Sequence, residues 1–357
     1  MGTGVSAGYA ASTRSYWTQW LQFCAQLNLD PHLANIADPI PFLQIFAHRV
    51  RTGELAIHGQ RVRKRQVEQY LRAVGQVLSG LGARDPRHDA HGNTDFRISR
   101  QLRSYAREDP PPTRVKPLPI AVLHDIFRHH IRGNARDQCI ADVIWIGFYF
   151  LLRPGEHCDA GASNDSAPFR LCDVTFRRGQ RVFDSTIDPL TTLATANHVA
   201  LTFTTQKNGV KGEAIGTRRS GHRTGCAVRR LLSRVAYLRC RRASYHTPIA
   251  SYHDGAAWQT LKSADLTKAI RDSVRRLGRT VGLTPAEVST RSLRASGAMA
   301  MLLGGIDGDV IRIIGRWRSD TMLRYLHVSA QSLTHNHARS MLRGGDYDLL
   351  APAHNHT

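Results

Sequence analysis

Residues 289–327 read STRSLRASGAMAMLLGGIDGDVIRIIGRWRSDTMLRYLH, and this stretch decides the fold. Arg291 and Arg294 stand three residues apart, so on a helix they share a face. From Ala295 to Leu303 nearly every side chain is small or apolar, the composition of a helix enclosed by protein. Gly304-Gly305 suits its C-terminal stop. Asp309 is placed to cap a following helix over residues 310–314. Gly315 ends that helix and delivers Arg316-Trp317 to the surface, and Ser319 or Asp320 caps a last helix carrying Tyr325. Cationic forks, an indole donor and a phenol gathered in this way suit a phosphodiester.

The composition points the same way. A chain of 357 residues has room for two domains with cores, and 41% hydrophobic residues is a globular content. Lys and Arg number 49 against 28 Asp and Glu, a formal net charge of +21. A surplus of that size along the whole chain implies a polyanionic partner, with nucleic acid the first candidate. Arginine far outnumbers lysine, which favours bidentate phosphate contacts. The cysteines at 24, 139, 158, 172, 226 and 240 form no Cys-x-x-Cys pair and read as reduced intracellular thiols. The first residues lack the charged-then-apolar pattern of a signal peptide. The longest apolar run, residues 140–152, contains Asp142 and is too short to span a bilayer, so no membrane partner is expected.

The stretch at 289–327 resembles the C-terminal signature of the tyrosine recombinases, the phage-integrase and Cre-like family. That signature places His-x-x-Arg at the start of a buried helix, Gly-His or Gly-Trp about twenty residues later, and a nucleophilic Tyr soon after. Arg294 matches the second family arginine, Trp317 the His/Trp position and Tyr325 the nucleophile. Two departures stand out. The usual His is Arg291, and Trp317 precedes Tyr325 by eight residues where nine is common. GRWRSDTMLRY together with TQKNGVKGE looks most like the eukaryotic Crypton and DIRS-like mobile-element recombinases, which implies a nuclear enzyme that integrates or excises an element.

The rest of the chain reads as follows. Residues 1–12 are small and polar, a flexible tail. Helical periodicity then recurs four times, beginning near Tyr16, at Pro41, over residues 62–81 and over residues 98–106. This predicts a helical domain over 13–107, which the resemblance identifies as the core-binding, DNA-gripping domain. Its basic run Arg61, Arg63, Lys64 and Arg65 is a candidate DNA contact. Residues 108–119, EDPPPTRVKPLP, form a proline-rich linker, since consecutive prolines favour an extended spacer. A catalytic domain over 120–330 and a tail over 331–357 complete the chain.

Within 120–330, helices are expected over 120–130 and 138–152, the second a core helix. It ends in Leu152-Arg153-Pro154-Gly155-Glu156, because a residue before proline is pushed out of the helical region. LRPGE resembles the family's Arg-x-Gly-Glu box, 141 residues before Arg294, making Arg153 the first catalytic arginine and Glu156 the family's acidic position. Strands are expected over 169–176, 181–183 and 198–205, with Asn208-Gly209 turning a hairpin. The resemblance places a hairpin lysine in the active site: Lys207, with Lys211 as the alternative. Helices follow over 227–242, dense in arginine with Arg229 and Arg230 as candidate DNA contacts, and over 261–277. The fold expected is mainly α with a small antiparallel sheet. His335, His337, His354 and His356 lack Cys or carboxylate partners at ligand spacing, so neither metal nor cofactor is expected.

The resemblance implies metal-independent strand cleavage and rejoining by a homo-oligomer, dimer or tetramer, on double-stranded DNA. Arg153 and Arg294 would hold the phosphate, Trp317 would donate to it, Lys207 would protonate the leaving 5′ oxygen and Tyr325 would attack. Arg291 cannot accept a proton as the usual His does, and the expectation is that Glu156 pairs with it. The same substitution supports a rival reading, a catalytically silent domesticated DNA-binding protein. A type-IB-like topoisomerase is the third reading.

Overall fold

The computed structural model describes residues 7–89, 91–111, 115–161, 166–204 and 212–317. Tyr325, Lys207 and Lys211 lie outside them, as does everything beyond Trp317. The chain divides into two compact units, residues 1–112 and 113–357.

The first unit is built from α1 (Ala7–Gln26), α2 (Ile40–Thr52), α3 (Lys64–Gly80) and α4 (Phe96–Glu108). α1 is already helical at Ala7, inside the stretch expected to be a tail; Ala10 and Ala11 are good helix formers and extend it backward. Apolar positions recurring at helical spacing turn Trp20, Phe23, Phe46, Val67, Tyr70 and Val74 into one core. Trp20 and Phe46 meet edge to face at 5.1 Å, and Trp20 Nε1 donates to Pro31 O at 3.0 Å. Arg51 is a buried cation in this unit. It bonds Asp109, Glu108 and the carbonyls of Val62 and Tyr105, while Asp109 also accepts from the Lys64 N–H at 2.8 Å. The first residues of the expected linker are therefore fastened to the helical unit.

The second unit opens just as firmly. The Lys116 N–H donates to Glu287 O at 3.0 Å, its ammonium pairs with the Glu287 carboxylate at 2.7 Å, and the Leu118 N–H reaches Ser296 Oγ at 2.7 Å. α5 (Ile120–His130) and α6 (Ala135–Tyr149) follow. From Cys139 to Phe148 α6 is enclosed and, Asp142 apart, apolar, with Asn134 capping it by accepting from the Asp137 N–H. Then come α7 (Pro154–His157), β1 (Val174–Arg178), β2 (Arg181–Asp184), α8 (Leu190–Ala194), β3 (His198–Thr202) and β4 (Ala214–Arg218). The four strands form an antiparallel sheet in the order β2-β1-β3-β4, with Phe176 opposite both Phe183 and Val199. α9 (Ala227–Cys240) covers the sheet, and a second hairpin, β5 (Ser251–His253) with β6 (Trp258–Thr260), was not legible in the sequence. α10 (Ser263–Leu277), α11 (Ser292–Leu303) and α12 (Gly308–Gly315) end the described chain. The result is mainly α with a small antiparallel sheet, and no helix among the described residues is long and apolar enough to cross a membrane.

α6 separates two cores: Ile144 and Val143 face α5 and α10, while Ile146 and Phe150 face the sheet and α9. α11 packs on α6 so closely that a Cβ at Gly297 would overlap Phe148 O. A helix without side chain at that point lets two backbones touch.

Candidate active site

Two helix C-termini meet at the site, those of α6 and α12. Both end in the same hydrogen-bond pattern. Leu152 N–H reaches Gly147 O at 3.0 Å and Leu151 N–H reaches Phe148 O; Trp317 N–H reaches Arg312 O at 3.0 Å and Arg316 N–H reaches Ile313 O at 2.9 Å. This paired bonding requires a left-handed residue, normally glycine, just beyond the helix. Here those residues are Leu151 (φ 48°) and Arg316 (φ 57°). Gly315, expected to be the stop, is instead the last helical residue, and it is glycine because a Cβ would collide with the Trp317 ring. The N-cap of α12 is Asp307, which accepts from the Asp309 N–H at 2.7 Å, and not Asp309 as the sequence suggested.

Helix C-termini carry unsatisfied carbonyls and the negative end of the dipole, so cations collect there. Arg294, 4% exposed, donates Nη1 to Leu151 O at 2.8 Å and Nη2 to Gly315 O, tying both termini together. Its guanidinium lies 4.3 Å from the centre of the Trp317 ring. Arg316 donates Nη1 to Ile314 O at 3.1 Å and Nη2 to Glu156 Oε2 at 2.8 Å, and lies 4.5 Å from the Phe203 ring centre. Burial pushes its pKa down from the ordinary arginine range, and the Glu156 carboxylate opposes that shift.

Arg153 precedes Pro154 and is extended, with ψ 155°, as the pre-proline restriction demands. It caps α7 from outside while Glu156 reaches back: the Arg153 N–H meets Glu156 Oε2 at 2.8 Å and Nη1 meets Oε1 at 3.0 Å. The Glu156 carboxylate is fully buried between Arg153 and Arg316. That corrects the expected pairing with Arg291, which sits exposed at the N-terminal end of α11. Arg294 binds the carbonyl of Leu151, two residues before Arg153, and so reaches the segment that carries it.

Among the other candidates, Arg61 pairs with Glu108 at 2.7 Å and Lys64 pairs with Glu68, whereas Arg63, Arg65 and Arg229 are exposed. Arg230 turns inward. It bonds the enclosed Asp142 at 3.0 Å and stacks 4.8 Å from the Phe127 ring centre, so it is a core ion-pair partner and not a surface contact. An aspartate in an apolar run needs such a partner, and that was the signal to follow. The residue missed outright is Arg316. It directly follows Gly315 and stands nine residues before Tyr325, the spacing that Trp317 fails to match.

His157 lies wholly enclosed beside the site. Its Nδ1 donates to Arg153 O at 2.9 Å, and Nε2 has no partner among the described residues. Burial pushes its pKa down to about 4, outweighing the Arg153 carbonyl and Glu156, which act upward. The folded protein thus resists a proton that the unfolded chain accepts near pH 6.5. Stability from this residue is intact above that pH and is lost as pH falls through the window to about 4. The expected loss is about 3 kcal/mol across the window, and it should be absent in His157→Gln when the two unfolding curves are compared by denaturant titration at each pH.

No protein-family profile matches the sequence, and no curated protein does. Solved structures do match. The XerH site-specific recombinase bound to palindromic difH substrate, in its post-cleavage complex, superposes with a TM-score of 0.50 at 15% identity, over 87% of this chain and 74% of that one. The Tn1549 transposon integrase bound to transposon right-end DNA gives 0.46 at 12%, over 85% and 84%. The XerA recombinase gives 0.38 at 17%, over 95% and 93%. On the XerH superposition, together with its helical content and small antiparallel sheet, the chain has the tyrosine-recombinase fold.

Proposed function

We propose that the protein is a site-specific DNA recombinase that cleaves and rejoins DNA through a 3′-phosphotyrosine on Tyr325. The observation that carries this reading is the meeting of Arg153, Glu156, Arg294, Arg316 and Trp317 at the ends of α6 and α12, from opposite ends of the unit. The chemistry follows from the groups. Attack on a phosphodiester adds negative charge to the non-bridging oxygens, and guanidinium forks match it. The Tyr325 phenol loses its proton as its oxygen bonds phosphorus. The bond from phosphorus to the 5′ oxygen breaks, and that oxygen takes a proton from Lys207. A 5′-hydroxyl attacking the phosphotyrosine reverses these steps and rejoins the strand. Exposed Arg63, Arg65 and Arg229 serve the duplex backbone, with Lys64, Arg72, Arg87 and Arg103 lining a basic cleft of the helical unit. In this reading a homo-oligomer acts on paired sites to integrate or excise a mobile element, in the nucleus where the host is eukaryotic.

The second reading, a silent DNA-binding protein, is favoured by one feature: both terminal nitrogens of Arg294 already bond carbonyls. A nicked suicide duplex separates the two, because a recombinase retains the DNA covalently and a silent binder does not. The acid is tested alongside. Lys207→Ala should form no adduct on ordinary DNA and recover on DNA whose bridging 5′ oxygen is sulfur, which leaves without a proton. Recovery of Lys211→Ala instead reassigns the acid to Lys211.

A further inference from the structure

We infer that Arg316 is a positioning residue, a buried cation that holds Glu156 so that Glu156 can aim Arg153 at a DNA phosphate. The inference rests on the recombinase reading for its setting and on contacts in the second unit for its substance. Arg316 touches the ends of α6 and α12, α7 and the residue just after β3. It bonds Phe150 O and Leu151 O at 3.4 Å, Ile314 O at 3.1 Å and Glu156 Oε2 at 2.8 Å, and it lies over Phe203. Phe203 in turn is paired across the base of the β3–β4 hairpin, its N–H on Glu213 O at 2.8 Å and its carbonyl accepting from Gly212 at 2.9 Å.

The side chain of Arg316 is 9% exposed, so it does not itself reach a duplex, whereas that of Arg153 is 31% exposed. Between them Glu156 is 0% exposed. A carboxylate enclosed to that degree needs cations around it. With Arg316 on Oε2, the carboxylate is held by an enclosed residue, and Arg153 meets it through Nη1 and its backbone N–H. Each oxygen of the Glu156 carboxylate thus faces its own guanidinium, Arg153 on Oε1 and Arg316 on Oε2. Without Arg316, Arg153 is the cation that remains on Glu156 among the described residues, and the carboxylate draws its fork inward, away from any phosphate. The strain of placing an arginine at φ 57° is consistent with a side chain needed at that point.

The test uses the full chain and reads salt dependence, which a loss of mere stability does not change in the folded fraction. Each phosphate contact contributes about 0.9 to the slope of log affinity against log salt. Arg316→Gln should lose about as much slope as Arg153→Gln, although Arg316 is buried, and the double variant should lose no more than either single one. Arg316→Lys should restore part of the slope, because the cation returns without the fork. Single-turnover adduct formation at saturating DNA should fall about 100-fold in Arg316→Gln, the scale of a misplaced catalytic group. Glu156→Gln gives an independent check that keeps Arg316 in place. Removing a negative charge raises affinity by simple attraction, but an aiming role predicts a lower slope. A wild-type slope in Arg316→Gln, additive losses in the double variant, or an unchanged slope in Glu156→Gln each overturns the inference. If the variants show the predicted slope changes but the natural protein never forms an adduct, the recombinase reading is overturned and the positioning role stands.

Discussion

Tyr325→Phe is expected to bind DNA with the affinity and salt dependence of the natural protein and to form no covalent product. Only the phenol oxygen is lost, and no charge that faces phosphate changes. Loss of the attacking oxygen leaves only what binding and positioning achieve with water, so single-turnover strand cleavage should fall by about a thousandfold or more. Other tyrosines are poor substitutes. The Tyr149 hydroxyl donates to Gly225 O at 2.8 Å, and that of Tyr237 accepts from the His253 N–H at 3.0 Å, so both are engaged in the fold. Burial also pushes the Tyr149 phenol up, away from the deprotonated form that attacks. Adduct persisting in Tyr325→Phe, mapped by peptide mass, would move the nucleophile elsewhere.

The largest stability effect is expected at Arg230→Ala. Asp142 sits inside α6, fully buried, held by Arg230 Nη1 at 3.0 Å and Ser233 Oγ at 2.8 Å. Burial pushes its carboxyl up, and the Arg230 and Arg234 guanidinium groups pull it back. Removing Arg230 leaves a buried carboxylate short of its cation, which costs about 3–5 kcal/mol. The deficit should shrink toward acid pH, because a protonated Asp142 no longer needs the partner. The DNA salt slope of the folded fraction should not change, since Arg230 contacts no phosphate in this arrangement. A stable Arg230→Ala protein with a reduced slope would return the residue to the DNA-facing surface.

The contrast between Arg229 and Arg230 marks where sequence reading stops. Neighbouring arginines on an arginine-rich helix look alike as letters, and only the partner across α6 sorts one inward. α5 was legible to the residue because its apolar spacing is clean, and α6 because thirteen apolar or enclosed positions in a row leave few alternatives. The β5–β6 hairpin was invisible: three-residue strands carry no period to read. Motif spacing singled out Arg153, Glu156, Arg294 and Trp317 as candidates, whereas Arg316, which bonds Glu156 and shares the Leu151 carbonyl with Arg294, has only its place beside a conspicuous tryptophan to mark it. The predicted Glu156–Arg291 pair failed for a geometric reason. An enclosed carboxylate binds the cations buried with it, and Arg291 is outside.

Leu151 and Arg316, side-chain-bearing residues held in left-handed backbone at the ends of α6 and α12, set a trap for anyone engineering this protein. Glycine at either position relieves backbone strain, so a search for thermostable variants guided by local conformation would select it early. At 316 that choice deletes the cation under Glu156, and at 151 it deletes a side chain packed with Ala298 and Ile311. Variants chosen in this way would exchange a local relief of strain for a buried carboxylate short of a cation, or for a gap beside Ala298 and Ile311, and would lose more than they gain.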